Sequence, residues 1–230
     1  RAPALQAGCQ EFESPILHFL IIIFMSKLFY DLDQINPKLK ILSDNYEIIK
    51  NEFIKNKNKL TWTNWNSNNE YTSITDNPYN GWKVAALSCQ YNYSMLKKPS
   101  EYSKIFNTNI HFDHDNELMY TDNAFILPKL FNFIKEVGIK CRVGISALEP
   151  EKHIQWHVDP DPVVDDSIIV RGLWGLDVNT NKDEYCYLGV NKNGTLETEH
   201  FVNNKFILFF GRSQHMVYNT LKTPRYCLCF

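Results

Sequence analysis

"RVGISALEPEKHIQWHVD", residues 142–159, is two short apolar segments joined across a polar turn at Pro150, and it closes on His157 and Asp159. The first segment lies within "KCRVGISALE" (140–149) and the second is "HIQWHV" (153–158). Both are short runs rich in β-formers with turn residues between them, which is how strands read in a sequence. The texture continues to the last residue through "SIIVRGLWGLDV" (167–178), "YCYLGV" (185–190), "HFVNNKFILFF" (200–210), "HMVYN" (215–219) and "RYCLCF" (225–230). Many short strands with Gly, Asn and Pro between them predict an antiparallel sandwich or barrel.

Toward the N-terminus the pattern changes. "LPKLFNFIKEVG" (127–138) predicts a short helix capped by Gly138. The polar stretch 97–123 reads as loop, and "KVAALSCQY" (83–91) as a buried strand. Residues 61–82 carry turn formers with Trp62, Trp65, Tyr71, Tyr79 and Trp82, the composition of an ordered loop packed by its own rings. From Asn36 to Lys57, Leu39, Ile41, Leu42, Tyr46, Ile49, Phe53 and Ile54 recur at helical spacing behind Pro37. The expected organisation is a single domain over 25–230, with helical and loop support in 25–126 and a β-rich core in 127–230. Residues 1–24 lack the Asn, Lys and Ile bias of the rest and are expected to be an extension outside the native fold, which would begin at Met25.

The 230 residues are 44% apolar and 22% charged, so the chain carries enough apolar mass to fold on its own. Its net charge of −2 gives no general attraction to nucleic acid or an anionic membrane. The one basic run, "KNKNKL" (55–60), reads as a solvated helix end. The apolar run Ile16 to Phe24 is too short for a bilayer, which takes about 20 residues. Six cysteines without C-x-x-C spacing read as reduced thiols in an intracellular, cytoplasmic protein. Two sequons, at Asn92 and Asn193, would matter only in a secreted chain.

The chemistry begins with His157-Val158-Asp159. In extended backbone, residues i and i+2 share a face, so an imidazole and a carboxylate can reach one ion. A second such pair, His111 and Asp113, sits in the polar stretch, where a ligand role is the lesser expectation. Two His and one carboxylate make the facial triad of non-haem Fe(II) oxygenases. In a double-stranded β-helix the last ligand comes from a late strand, and His215 opens "HMVYN" after "FILFF". Arg225 opens the final strand, and its planar fork suits a carboxylate such as the distal one of 2-oxoglutarate. Cys227 and Cys229 read as small buried thiols below the site, Trp156 and Trp174 as core, and Asp161, Asp165 and Asp166 as a solvated loop.

From about Leu127 to Phe230 the chain resembles the aspartyl/asparaginyl β-hydroxylase family of 2-oxoglutarate oxygenases. "LPKLFNFIKEVGIKCRVGISALEPEKHIQWHVD" resembles its helix followed by an "F-S-x-L-x-P-G-x-x-x-x-x-H" strand and turn. "RGLWGLDV" resembles "R-x-H-L-G-L", and "FGRSQHMVYNTLKTPRYCLCF" resembles "F-D-D-S-x-x-H-x-V" with its trailing arginine. The resemblance implies a mainly β fold with α elements, a double-stranded β-helix (jelly roll) with N-terminal helical support. It implies Fe(II) on His157 and His215; some members have glycine at the position of Asp159 and use two protein ligands, others have Asp, so Asp159 makes a full triad available here without the resemblance fixing it as a ligand. It implies 2-oxoglutarate held by Arg225 and, by position, by Ser146 and Arg171. The expected activity is hydroxylation of an unactivated C–H bond in an Asp- or Asn-type side chain of a protein or peptide. Departures fall at Leu173 for the family's histidine, Glu151 for its glycine, and Gly211 and Arg212 for its two acids. Leu173 leaves open a lipid acyl chain or small metabolite as substrate. A β-helix binding module with lapsed chemistry and a zinc hydrolase are the rival classes, and the zinc hydrolase does not account for Arg225.

Overall fold

In a computed structural model of the chain, the residues described are 28–64, 81–90, 99–114, 118–139, 141–159, 170–179 and 185–230. The expected extension 1–24, Trp65, Tyr71, Tyr79, the Asn92 sequon and Asp161, Asp165 and Asp166 lie outside them.

Two antiparallel sheets face each other. The strands are β1 (Phe29–Tyr30), β2 (Thr63–Asn64), β3 (Trp82–Gln90), β4 (Ile110–Asp113), β5 (Leu118–Thr121), β6 (Val143–Leu148), β7 (Lys152–His157), β8 (Val170–Asp177), β9 (Cys186–Lys192), β10 (Thr195–His200), β11 (Phe206–Phe210), β12 (Gln214–Asn219) and β13 (Arg225–Cys229). The large sheet runs β1-β11-β8-β13-β6-β3-β5-β4 with β2 beside β3, and the small one runs β10-β9-β12-β7. From β6 onward the chain passes repeatedly between the sheets, with the β9–β10 hairpin held in the small one. This winding is the double-stranded β-helix.

Residue alternation on the large sheet sets two environments. Ala85, Leu87, Ile145, Trp174 and Leu228 point outward onto the helices, where they join Leu42, Ile49, Phe53, Leu130 and Ile134 in one core. Leu148, Cys227, Phe209 and Ile207 point inward against Ile154, Leu188 and Val217 of the small sheet. Trp174 is fully buried, as expected, but Trp156 is 45% exposed on the outer face of the small sheet.

The helices are α1 (Leu32–Ile35), α2 (Lys40–Asp44), α3 (Tyr46–Asn56), α4 (Pro99–Phe106), α5 (Asp122–Ile126) and α6 (Pro128–Val137). The helix expected over 36–57 is divided at Asn45, whose side-chain amide and backbone N–H both donate to Ile41 O, at 2.8 and 3.2 Å. Helix α6 begins with Pro128 and ends at Gly138, with φ of +79°, as its sequence predicts. Its free N-terminal amides of Lys129 and Leu130 donate to the Glu52 carboxylate at 3.0 and 2.9 Å, which ties α6 to α3.

Two segments differ from their sequence reading. The stretch 97–123 holds helix α4 and the hairpin β4–β5, so the first half of the chain contributes strands to the large sheet as well as helical support. "TLETEH" is strand β10, and the expected strand 200–210 breaks at a turn over Phe201–Lys205. The polar sequence of β10 hides it because both faces of this edge strand are largely exposed. Asn193 and Gly194, with φ of +53° and +84°, close the two-residue hairpin β9–β10.

The turn 201–205 packs directly onto Gly175. A Cβ there would lie 2.0 Å from Val202 O, which is backbone and cannot swing away. Gly175→Ala is therefore expected to destabilise the protein by about 3 kcal/mol through overpacking, read as a lowered urea midpoint.

Candidate metal centre

Strands β7 and β12 pair with His157 opposite His215, but the register shifts before Val217 meets Ile154. Two residues, Gln155 and Trp156, thus stand against Met216 alone, forming a β-bulge. Strict alternation from the inward Ile154 would turn His157 outward. The bulge restores it to the inner face, across from His215, and leaves Trp156 outside over Gly189. The imidazole centroids come within 4.2 Å.

Asp159 completes the group. Its Oδ1 lies 3.8 Å from His157 Nε2 and its Oδ2 3.7 Å from His215 Nε2. One ligand atom from each of the three residues falls within 4.8 Å of the others, a spacing that can enclose one ion. Both rings are fixed from behind: His157 Nδ1 donates to Gln155 O at 2.7 Å and His215 Nδ1 to Ser213 O at 3.0 Å. Each Nε2 is left as the lone-pair atom facing the other ligands, the tautomer a metal needs. Burial, reinforced by the neighbouring His157 and opposed by Asp159, pushes the His215 pKa down to about 4.

That depression makes stability depend on pH. The unfolded chain takes a proton at its ordinary pKa of 6.5, and the folded metal-free chain resists it until about 4. The contribution is therefore present above pH 6.5 and is lost as pH falls toward 4, by about 3 kcal/mol in all. Urea midpoints of metal-free protein should drop across that window, and the drop should shrink in His215→Gln. A flat profile would mean that folded His215 takes up the proton.

The other expected site residues line the same cavity of about 190 Å³. Arg225 is 1% exposed, with Nη1 donating to Cys227 Sγ at 2.7 Å and its guanidinium 4.6 Å over the Phe201 ring. No carboxylate among the described residues pairs with it, and its buried Nε has no hydrogen-bond partner. Burial also raises the Cys227 thiol pKa, so the sulfur stays neutral and supplies no counter-charge. A buried guanidinium in this condition fits an incoming carboxylate. Ser146, two positions along the inner face of β6 from Leu148, accepts from the Trp82 indole at 2.9 Å. Arg171 instead meets Asp159, Nε to Oδ2 at 3.2 Å. The contact is an ion pair, and the Nε–H is not aligned on Oδ2 as a hydrogen bond.

The lesser pair does not converge. His111 Nε2 lies 2.7 Å from Asp122, and among the described residues the only metal-sized group is His157, Asp159 and His215. Leu173 lines the cavity, and Glu151, where the resemblance has glycine, adopts a left-handed φ of +56°. Cys227 is fully buried below the site, whereas Cys229 is partly open. The sequence reading missed the wall contributed by Trp82, Phe106, Ile110 and Met119. Tyr102 and Phe106, four apart behind Pro99, were its one helical signal.

Comparison with known proteins supports the family. A sequence profile described as Aspartyl/Asparaginyl beta-hydroxylase matches residues 43–230. Comparison with curated proteins finds no match. Among solved structures, Peruvianin-I, a cysteine peptidase from Thevetia peruviana latex, is similar at 9% identity and a TM-score of 0.30, over 38% of this chain and 47% of that one. Bacillus subtilis oxalate decarboxylase, solved in a study of its Mn(II) centres, gives 13% and 0.30 over 38% of this chain and 20% of its own. This chain thus matches under half the length of either, and these likenesses carry no argument. Among the described residues, no helix is long and apolar enough to cross a membrane.

Proposed function

The chain belongs to the aspartyl/asparaginyl β-hydroxylase family, and from that membership we propose that it is an Fe(II)- and 2-oxoglutarate-dependent dioxygenase. The reaction is hydroxylation of an unactivated C–H bond, with an Asp- or Asn-type side chain of a protein or peptide as substrate. The observation that carries this reading is the pairing, in one cavity, of a three-residue ligand set with a buried arginine that pairs with no carboxylate among the described residues. A hydrolytic zinc site needs the first and has no use for the second.

His157, Asp159 and His215 would hold the iron on one side and leave the side facing the cavity open. Iron bound there would supply activation of O2, the oxidant: one oxygen atom would go to the C–H bond and the other to 2-oxoglutarate, which leaves as succinate and carbon dioxide. The residues of the chain do the positioning. Arg225 receives the distal carboxylate of the cosubstrate, and Ser146, its oxygen already satisfied by Trp82, has its own proton to donate to the same group. Arg171 holds Asp159 by one oxygen and leaves the other for the metal. Val84, Ala86 and Leu173 keep the neighbouring wall apolar and exclude water from the reacting bond.

The test is product formation. Protein supplied with Fe(II), 2-oxoglutarate and air should convert capped Asp and Asn peptides to species heavier by one oxygen, with one succinate formed per product. Succinate without peptide oxidation would point to another substrate, and formation of neither product would contradict the proposal.

A further inference from the structure

The cavity has a second cationic pole. Arg142 precedes β6 and shares the inward parity of Gly144, Ser146 and Leu148, and it lines the same cavity as the triad. Arg225 pairs with Leu148 at the other end of that strand. Six residues separate Leu148 from Arg142, which at extended spacing is about 20 Å. The two arginines therefore mark opposite ends of the cavity rather than one doubled site.

Two observations at the Arg142 end point to a ligand. Among the described residues no carboxylate pairs with Arg142. Ser88 on β3 lines the same cavity, pairs with Val143, the next residue in the chain after Arg142, is 6% exposed, and has a buried hydroxyl oxygen with no hydrogen-bond partner among the described residues. An unsatisfied hydroxyl and a guanidinium with no carboxylate partner among the described residues, both on the wall of one cavity, offer the donor set of an anion site. Phe106, Ile110, Met119 and Phe230 add apolar surface to the same cavity.

We propose that Arg142 and Ser88 bind a carboxylate of the substrate, and that the substrate class is a carboxylate attached to an apolar body. This rests on the dioxygenase reading above and narrows it, because one anion pole is assigned to the cosubstrate and the other remains for the molecule that is oxidised. An amide in the same place would leave the guanidinium without a charge partner, so acids are selected over their amides. Phe106, Ile110 and Met119 select the apolar body.

The experiment is calorimetry under argon, on protein loaded with Fe(II) and 2-oxoglutarate and on metal-free protein. The probes are octanoate against octan-1-ol, and acetyl-Leu-Asp-Leu-amide against its Asn counterpart. At least one carboxylate probe should bind more tightly than its neutral partner. Arg142→Gln should weaken that probe at least tenfold while leaving the neutral one unchanged, Arg142→Lys should recover most of the loss, and Ser88→Ala should weaken it severalfold. Whether octanoate or the peptide responds tells a free acid from a protein side chain. Equal binding to the parent and Arg142→Gln, no preference for carboxylates, or no probe binding at all would overturn the proposal. So would loss of 2-oxoglutarate binding in Arg142→Gln, which would assign that arginine to the cosubstrate. Failure of the parent protein to bind 2-oxoglutarate would sink the dioxygenase reading instead, and the metal-free arm would still read the Arg142 site.

Discussion

Arg225→Met is expected to weaken 2-oxoglutarate binding severely while making the ligand-free protein no less stable. The guanidinium is buried against a neutral thiol and the Phe201 ring, with no carboxylate among the described residues to offset its desolvation. Replacing such a charge by an apolar side chain of similar length is typically neutral or stabilising, by about 1–4 kcal/mol. The cosubstrate loses a charge-assisted, two-pronged contact, so its affinity should fall by about 100- to 1,000-fold. Fe(II) affinity should be unchanged, since Arg225 touches none of the three ligands. Urea unfolding of the ligand-free variant and calorimetric titration with Fe(II) and then 2-oxoglutarate separate these effects. A variant that binds cosubstrate normally, or one that unfolds with a lower midpoint, would make Arg225 a structural residue.

His215→Ala is expected to remove metal binding outright. His215 is the most deeply buried of the three ligands, and its ring is fixed by Ser213 O and packed against Phe209. Losing an outer-shell partner commonly costs 10- to 100-fold in metal affinity, so loss of a direct ligand should exceed about 100-fold. Asp159→Ala should cost less than His215→Ala, because Asp159 is partly exposed and already shared with Arg171. Equilibrium dialysis against Fe(II) under argon gives the order. Equal affinity of parent and His215→Ala would place the metal elsewhere.

The sequence announced the candidate cluster through order and spacing. His157-x-Asp159, a later His215 and a terminal Arg225 follow the strand sequence of a β-helix, and the structure brings all four to one cavity. What it did not reveal was how His157 gets there. Residues 153–158 carry no mark of the bulge at Gln155 and Trp156, because a bulge is set by the partner strand and not by local composition. The same omission misplaced Trp156 in the core. The Asn193-Gly194 pair has the composition of a two-residue hairpin turn, but the strand it leads into, β10, is largely exposed on both faces and so carries no apolar alternation to mark it. The stretch 97–123 failed for another reason. Its helix and hairpin present few apolar residues because the face they bury closes over a cavity instead of a core, and that is where Phe106, Ile110 and Met119 are found. Arg171 shows the limit of reasoning by position: it sits where a cosubstrate ligand was expected, and its guanidinium meets Asp159.

The most direct test of the central claim is an anaerobic absorbance titration of the metal-free protein with Fe(II) and then 2-oxoglutarate. The account predicts a visible metal-to-ligand charge-transfer band that saturates at one equivalent of each, is absent in His215→Ala, and appears in Arg225→Met only at far higher 2-oxoglutarate. A folded parent protein that gives no band at any 2-oxoglutarate concentration would contradict it.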